Sequence, residues 1–252
     1  MENIAIGIIG GTGGIGKWFA NFFTREGYTV HISGRAVGMR PDEMAAACHV
    51  VIVSVPISST RDVIEQVGPY MQKNALLMDF TSLKGDPVSC MLESSLSEVM
   101  GCHPLFGPDV KSMERLNIVL CPVRVKKWAH WPKELFQKKG ANVVETTPER
   151  HDEMMALVQG LNHFNTIMMG LTLKEAQKDM AELRKFSTPL FDTKLEIIEK
   201  IFNNPHLYSE IITANPSVRH IIDLYEKNLI DIKNLVETQD AIQLVDLLEK
   251  RS

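Results

Sequence analysis

The chain has 252 residues, of which 44% are hydrophobic and 23% charged, and its formal net charge is −4. This composition is typical of a water-soluble globular protein, and an acidic balance without a clustered basic helix argues against DNA or RNA as a partner. No apolar run approaches the roughly 20 residues that span a bilayer, which argues against a membrane protein.

Two further features indicate the compartment. An apolar strand is predicted from Ile4 onward, which leaves no room for a signal peptide. The cysteines contain no C-x-x-C pair, so their spacing argues against a zinc site and we expect no metal. They are Cys48, Cys90, Cys102 and Cys121. We therefore expect a cytoplasmic protein with reduced thiols.

The first predicted strand runs directly into a glycine-rich turn. Residues 4–9 are a branched apolar run, residues 10–16 read GGTGGIG, and a helical pattern follows as far as Gly27. The G-x-G-x-x-G spacing in this context predicts dinucleotide binding, because backbone N–H groups and a helix N-terminus then meet a pyrophosphate. The alternative is an ordinary glycine-rich turn. The candidate cofactor-binding residues are Gly11, Thr12, Gly13, Gly14, Ile15 and Gly16.

The end of the second predicted strand, residues 28–33, bears on the choice of cofactor. An NAD-binding unit usually has Asp or Glu here, but this chain has Ser33, Gly34 and Arg35. A guanidinium beside a hydroxyl, without a carboxylate, favours the 2′-phosphate of NADP over NAD. Ser33 and Arg35 are therefore candidate cofactor ligands. Alternatively, Arg35 is a solvated loop residue or stacks on the adenine.

A short helix over residues 41–47 and a third strand over residues 49–55 follow. The strand is nearly all branched and apolar, as expected for a central parallel strand. It ends at a segment whose backbone would lie along the cofactor, which consists of Ser54, Val55 and Pro56.

The fourth predicted strand, residues 75–80, leads to a loop that contains Ser82 and Lys84. Ligands bind beyond the carboxyl ends of parallel strands, so both side chains are placed to touch one. Alternatively, Thr81 and Ser82 cap the helix that begins near Pro87.

A histidine follows the fifth predicted strand, residues 99–102. Residues 103–109 read HPLFGPD, and two prolines and a glycine around His103 predict a loop. A lone histidine is usually structural, but one held rigidly past a strand end is a candidate catalytic base. Further strands are predicted over residues 117–121 and 142–146.

The predicted elements indicate an α/β fold with two domains. The alternation of strands and helices predicts a Rossmann-type, doubly wound parallel sheet, the dinucleotide-binding domain, over residues 1–147. Strand signals nearly vanish over residues 148–252, for which we expect an all-helical domain. Its first helix, residues 151–173, has a wide apolar stripe that indicates either a homodimer through this domain or plain core packing. Further helices are predicted over residues 173–186, 191–202, 207–214, 217–234 and 240–250.

These residues resemble the prephenate dehydrogenase family of tyrosine biosynthesis. The specific part of the resemblance is the block GCHPLFGPD at residues 101–109 together with the helical block at residues 151–164. The glycine turn is shared by many dehydrogenases. The resemblance covers both domains, and its other blocks are residues 10–16, 79–84, 187–191 and 205–208.

The resemblance implies an NAD(P)-dependent oxidoreductase that oxidatively decarboxylates prephenate to 4-hydroxyphenylpyruvate. Hydride leaves C4 of the ring, and the C4 hydroxyl needs a hydrogen acceptor, for which neutral imidazole is suited near about pH 7. The family pattern assigns this role to His103 and gives Ser82 a hydrogen bond to the substrate hydroxyl. It also places His163 of a helical, substrate-binding domain opposite the substrate side chain. The alternative for His163 is a core histidine.

One position departs from the family pattern. Asp192 stands where several bacterial members have an arginine that binds a substrate carboxylate. We therefore expect another cation of the helical domain to bind that carboxylate, with Lys194, Arg219 and Arg184 as candidates. Because an aspartate would repel a dicarboxylate, arogenate, whose side chain has an amino group, is the alternative substrate.

Two hypotheses from other classes stay open at this stage. A β-hydroxyacid-type or imine reductase on the same plan would need a catalytic Lys or Asp on the first helix of the second domain, where the sequence has His163. A non-catalytic NADP-binding sensor would keep the glycine turn but would have no need of His103 and Ser82 at strand ends.

Overall fold

The computed structural model describes residues 4–35, 37–177 and 180–249, and these residues form two compact units. Unit 1 contains the described residues up to 155 and residues 209–211, and unit 2 contains the others.

Unit 1 is built on one seven-stranded sheet. The strand order is β2-β1-β3-β4-β5-β6-β7, and the first five strands in this order are parallel neighbours. The predicted fold class, a Rossmann-type sheet with a helical C-terminal region, is confirmed. The strands are β1 Ala5–Ile9, β2 Thr29–Ser33, β3 Val50–Val53, β4 Leu76–Asp79, β5 Glu98–Pro104, β6 Asn117–Arg124 and β7 Asn142–Glu145.

Helices of unit 1 cover both faces of the sheet, so alternate residues of a central strand enter different cores. Val50 and Ile52 of β3 pack in one core with Phe19, and Val51 packs in the other with Met44. Burial on both faces explains why β3 is an unbroken branched apolar run. The helices are α1 Gly14–Arg25, α2 Pro41–Ala47, α3 Ile57–Val67, α4 Gly85–Ser94, α5 Trp131–Lys138 and α6 Pro148–Met155, with a 3-10 turn at Gly68–Tyr70.

The strand order creates a crevice at the carboxyl end of β1. Strand β1 pairs with β2 on one side and with β3 on the other. The connection from β1 to β2 therefore runs to one side of β1, and the connection from β2 to β3 crosses back to the other side. Such a switch point is where ligands of open α/β sheets bind.

The last two strands differ from the predicted parallel sheet. Strand β6 runs antiparallel to β5, and β7 pairs with β6 in parallel. Residues 105–116, all of which are described, form no helix between β5 and β6. A parallel connection normally needs such a crossover element, so this loop returns the chain in the opposite direction.

The predicted loop at His103 is also corrected. Strand β5 extends through His103 and Pro104, which pair with Val119 and Ile118 of β6. Two prolines and a glycine suggested a turn, but at these two positions antiparallel pairing with β6 outweighs this local signal.

The described residues from 156 onward are mainly helical and form no strand. No helix among the described residues is long and apolar enough to cross a membrane. A π-helical turn at Ala156–Leu161 interrupts the predicted helix over residues 151–173. The α-helices are α7 Asn162–Glu175, α8 Met180–Lys185, α9 Pro189–Phe202, α10 Pro205–Thr213, α11 Val218–Glu237 and α12 Ala241–Glu249.

The prediction of one helix over residues 173–186 is wrong. Helix α7 ends at Glu175, and α8 begins at Met180. Gln177 has a φ of 52°, in the left-handed region, so the right-handed helix cannot continue through it.

The start of β5 is held by a buried carboxylate. Glu98 is nine-tenths buried and accepts backbone hydrogen bonds from Lys127 at 2.9 Å, from Trp128 at 3.0 Å and from Lys126. Removing it leaves three donors without an acceptor, and an unsatisfied buried donor costs more than a hydrogen bond gains.

We expect Glu98→Ala to lower the free energy of unfolding by about 2–3 kcal/mol, as three charge-assisted hydrogen bonds are lost. Urea denaturation followed by circular dichroism measures this. The matched control is Glu93→Ala on α4, where the side chain is exposed and the change should stay within about 0.5 kcal/mol. Equal effects of the two substitutions would contradict the role of Glu98.

Candidate active site

The glycine-rich turn between β1 and α1 is packed so closely that side chains are excluded. Gly10 has a φ of +84°, and a Cβ atom on it would lie 2.1 Å from the carbonyl oxygen of Ser54. A Cβ atom on Gly16 would lie 2.3 Å from the carbonyl oxygen of Gly10. These contacts hold the turn, the first turn of α1 and the end of β3 together.

The residues at the start of α1 fit an anion. The helix begins after Gly13, and its first turn contains no acidic residue. The first N–H groups of a helix have no intrahelical acceptor and lie at the positive end of its dipole. Thr12, Gly13 and Gly14 are exposed, and Ile15 is half-buried. An accessible, uncharged backbone cradle of this kind fits the pyrophosphate of a dinucleotide.

The backbone of Ser33 helps to form this turn. Its carbonyl oxygen accepts hydrogen bonds from the N–H groups of Gly10 at 2.8 Å and Gly11 at 3.1 Å. The side chain of Arg35 is exposed, and it has no ion-pair partner among the residues that the structure describes. Arg35 is thus an accessible cation at the end of β2, where the sequence has no carboxylate.

The end of β3 lies against the same turn. The N–H of Ser54 donates to the carbonyl oxygen of Ile9 at 2.8 Å, and Val55 lies beside Gly10. Pro56 is exposed and precedes α3. The structure therefore brings the predicted cofactor segments after β1, β2 and β3 to one edge of the sheet.

Lys84 does not reach a ligand, which corrects the expectation for this residue. Its side chain is 0% exposed and forms an ion pair with Asp79, at the end of β4. Thr81 donates to the same carboxylate through its N–H at 3.1 Å and through its hydroxyl. Ser82 is half-buried in this loop, which follows the carboxyl end of β4.

His103, at the carboxyl end of β5, begins a chain of buried polar groups. Its side chain is 3% exposed, and its Nδ1 atom lies 2.8 Å from Nε2 of His151 on α6. The Nδ1 atom of His151 lies 2.7 Å from Oδ1 of Asp152. The Asp152 carboxylate also accepts the N–H groups of Lys84 and Gly85, both at 2.9 Å, at the start of α4.

Burial and hydrogen bonding determine the charges of His103 and Asp152. Burial lowers the pKa of His103 well below its ordinary value of 6.5, and electrostatic interactions with His151 and Lys84 lower it further. Burial raises the pKa of Asp152, but hydrogen bonds from His151, Gly85 and Lys84 outweigh this effect and leave the pKa below its ordinary value of 3.8. At neutral pH, His103 is therefore neutral and Asp152 is ionised.

Ionisation of Asp152 has a consequence for His103. A carboxylate can only accept hydrogen bonds, so Nδ1 of His151 donates to it. In the tautomer that carries its hydrogen on Nδ1, His151 has its lone pair at Nε2, and the hydrogen bond at that atom then comes from Nδ1–H of His103. The Nε2 atom of His103 is left with the lone pair of a base.

The predicted substrate residues lie in unit 2. The ring of His163 on α7 packs edge-on against the ring of Tyr208, with 4.8 Å between the ring centroids. The buried Nδ1 atom of His163 has no hydrogen-bond partner among the described residues. Burial lowers the pKa of His163. Lys194 on α9 and Arg219 on α11 are exposed.

Asp192, the departure from the family pattern, is paired within unit 2. Its Oδ1 atom lies 3.8 Å from Nη1 of Arg184, and Arg184 also bonds to Glu199 at 2.8 Å. Two carboxylates therefore compete for Arg184, which leaves Lys194 and Arg219 as the more available of the predicted cations.

Sequence reasoning missed the parts played by His151 and Asp152. The residues stood out only as part of a block similar to a known family. The available signal was an adjacent His-Asp pair that begins a long apolar helix, but nothing local indicated that its partners lie 48 and 68 residues away.

Comparison with known proteins agrees with this architecture. Residues 32–145 match the family model described as prephenate dehydrogenase, nucleotide-binding domain. Residues 147–250 match the model described as prephenate dehydrogenase, dimerization domain.

Two curated relatives and one solved structure are similar over nearly the whole chain. The probable arogenate/prephenate dehydrogenase of Methanocaldococcus jannaschii is 35% identical over 98% of this chain and 60% of its own length. The T-protein of Haemophilus influenzae is 33% identical over 96% of this chain and 65% of its own length. This chain thus spans about three fifths of the length of these relatives.

The solved structure is that of Aquifex aeolicus prephenate dehydrogenase in complex with hydroxyphenyl propionate and NAD+. It has a TM-score of 0.79 and 21% identity, and it covers 99% of this chain and 96% of the other. At this identity it supports the fold alone. On the family models and the curated relatives together, the chain belongs to the prephenate dehydrogenase family.

Proposed function

We propose that this protein is an NAD(P)-dependent dehydrogenase that converts prephenate to 4-hydroxyphenylpyruvate and CO2. The observation that carries this proposal is His103, a buried, neutral imidazole at the carboxyl end of β5 whose Nδ1 atom is hydrogen-bonded to His151. The reaction needs a hydrogen acceptor for the C4 hydroxyl, and Nε2 of this imidazole is suited to that role.

The chain's own residues have three tasks in this reaction. His103 takes the hydrogen of the C4 hydroxyl, and Ser82, in the loop after the neighbouring strand β4, hydrogen-bonds to the same hydroxyl. When bound, the nicotinamide supplies the acceptor for the hydride that leaves C4. The ring carboxylate departs as CO2, so tight binding of that group would stabilise the ground state and slow the reaction.

The glycine turn and the end of β2 would hold the cofactor. The first turn of α1 meets the pyrophosphate, and Arg35 supplies a cation for a 2′-phosphate, which favours NADP over NAD. Ser33 contributes mainly through its carbonyl oxygen, which fixes the turn. Ser54, Val55 and Pro56 border the same crevice.

Prephenate is our first choice of substrate, and arogenate is the alternative. The carboxylate of Asp192, which argued for arogenate, lies beside Arg184, so its charge is partly balanced. The side-chain carboxylate of the substrate still needs a cation, for which Lys194 and Arg219 are the candidates, and His163 would face the substrate side chain. The name of the M. jannaschii relative includes both substrates.

The helical region, residues 148–252, would bind substrate and form a homodimer. The matching family model is described as a dimerization domain. Exposed apolar side chains on α11 and α12 support the same proposal, because contiguous exposed apolar surface often marks an interface. They are Leu224, Leu229, Ile230, Ile232, Val236, Ile242, Val245 and Leu248.

The test of the proposed function is an absorbance assay of NAD(P)H formation with each substrate and each cofactor. We expect the highest kcat/KM with prephenate and NADP. Faster turnover of arogenate would identify the alternative substrate. Tight NADPH binding without turnover of either acid would identify a non-catalytic sensor and overturn the proposal.

We expect Arg35→Ala to weaken NADP binding by about 1–3 kcal/mol, the range for charge-assisted hydrogen bonds, and to leave NAD binding nearly unchanged. Fluorescence titration or calorimetry with each cofactor measures this. Arg25→Ala, an exposed arginine at the other end of α1, is the control. Equal losses for both cofactors would show that Arg35 does not contact the 2′-phosphate.

We expect His103→Asn to fold and to bind cofactor, but to lose roughly two to four orders of magnitude in kcat, the usual contribution of a positioned base. His130→Asn, at an exposed histidine before α5, should leave kcat unchanged. Turnover of His103→Asn near the wild-type level would exclude His103 as the hydrogen acceptor.

The pH profile of the wild-type protein tests the same role. Protonation removes the lone pair of His103, and its pKa lies well below 6.5. The value of kcat/KM should therefore be constant through neutral pH and fall only in acid, well below that value. An acid limb centred above pH 6.5 would contradict a buried, neutral His103.

We expect neutralisation of the true carboxylate anchor to raise KM roughly tenfold or more and to change kcat little, the pattern of lost uniform binding. Lys194→Met and Arg219→Met test the two candidates. Lys200→Met, on an exposed position of the same helix as Lys194, is the control. If neither substitution raises KM, the anchor lies elsewhere.

A further inference from the structure

Two buried side chains connect His103 to the start of α4 and have no task in the reaction described so far. His151 lies between His103 and Asp152, at 2.8 Å from one and 2.7 Å from the other. Asp152 accepts the N–H groups of Lys84 and Gly85. All of these hydrogen bonds belong to unit 1, and the low local dielectric strengthens them.

We propose that His151 and Asp152 are positioning residues that fix the tautomer and orientation of His103 and stabilise it while it holds the substrate proton. This inference rests on the function proposed above. It deepens that function, because it explains why Nε2 of His103, and not Nδ1, is the basic atom.

The directions of the hydrogen bonds between Asp152, His151 and His103 follow from the carboxylate of Asp152. Asp152 already accepts two backbone N–H groups, so its carboxylate is fixed in place before His151 is considered. It orients His151 with Nδ1–H toward itself, and Nε2 of His151 then accepts from His103. The same logic operates where a buried aspartate sets the tautomer of a catalytic histidine.

The atom balance of the reaction shows why the proton must be held. The O–H bond at C4 breaks, an N–H bond forms at Nε2 of His103, and a C4 carbonyl forms as hydride leaves for the oxidised nicotinamide. The bond from C1 to the carboxylate then breaks, its electron pair enters the ring, and CO2 leaves. The C4 oxygen takes the proton back from His103 and becomes the phenol.

His103 is therefore a cation only between two steps, in a place that disfavours cations. Burial and the cation of Lys84 both oppose its protonation, although Asp79 is paired with Lys84. Asp152 is the carboxylate that faces the histidine pair. Its negative charge, acting through the hydrogen bonds of His151, offsets the cost of a positive charge on His103. If the proton moves on to His151, the positive charge lies directly beside Asp152.

The first experiment reads the tautomers in the free protein, without cofactor or substrate. Two-bond 1H–15N correlation spectra of histidine-labelled protein distinguish Nδ1–H from Nε2–H. We expect Nδ1–H on both His103 and His151 in the wild type, and Nε2–H on His103 in Asp152→Asn. Nε2–H on His103 in the wild type would overturn the proposal.

The second experiment measures kinetics in matched variants. In Asp152→Asn, the new side-chain amide can donate a hydrogen to His151 and so reverse the directions of the hydrogen bonds. This variant should therefore lower kcat by roughly 10²- to 10⁴-fold with little change in KM. His151→Gln keeps an acceptor toward His103 and a donor toward Asp152. It should lose clearly less than His151→Leu, which keeps neither.

A purely structural role gives a different result. Glu98→Ala is the control for lost stability, because it destabilises unit 1 at the opposite end of β5 from His103 and removes hydrogen bonds to residues 126–128 only. If Asp152→Asn loses no more kcat than Glu98→Ala, or if the Gln and Leu variants of His151 lose equally, the proposal is overturned. A wild-type protein that turns over neither prephenate nor arogenate overturns the proposed function instead, and the spectra still decide the arrangement of protons.

Discussion

The carboxylate of Asp152 is the interaction on which the arrangement of the site depends. It accepts hydrogen bonds from Lys84 N–H, Gly85 N–H and His151, and so joins the start of α4 to α6 across 68 residues of sequence. A single ionised group thus caps one helix and orients a histidine. Because His151 is hydrogen-bonded to His103, the same carboxylate that caps the helix also sets the tautomer of the candidate base.

The loop after β4 is specified by a second buried group of charges. Lys84 and Asp79 are both completely buried, and burial of an ion pair carries a desolvation cost that hydrogen bonds must offset. Thr81 supplies two of these bonds to Asp79. We infer that the ion pair restricts the loop to one conformation, since few other loop conformations would keep the two charges together. Ser82 is held at the end of β4 as a result.

The fold and the site give different kinds of information about this protein. The glycine turn, the parallel strands and the crevice at β1 are common to many dinucleotide-binding proteins, so they indicate a cofactor and not a reaction. The histidine pair with its aspartate is the specific part, because its burial and hydrogen bonds suit one task, the reversible transfer of a proton. Membership of the prephenate dehydrogenase family and the chemistry of the site are therefore consistent with each other.

The sequence alone determined the first five strands and the glycine turn, and it singled out His103 as the candidate base. These inferences depend on local periodicity, spacing and recognisable blocks. Several features were decided only by the tertiary structure: the antiparallel direction of β6, the extension of β5 through His103, the burial of Lys84 against Asp79 and the link to Asp152. Each of these depends on contacts between segments far apart in the chain. Local pattern cannot specify such contacts, because hydrogen-bond partners and burial are fixed only when the strands and helices pack together.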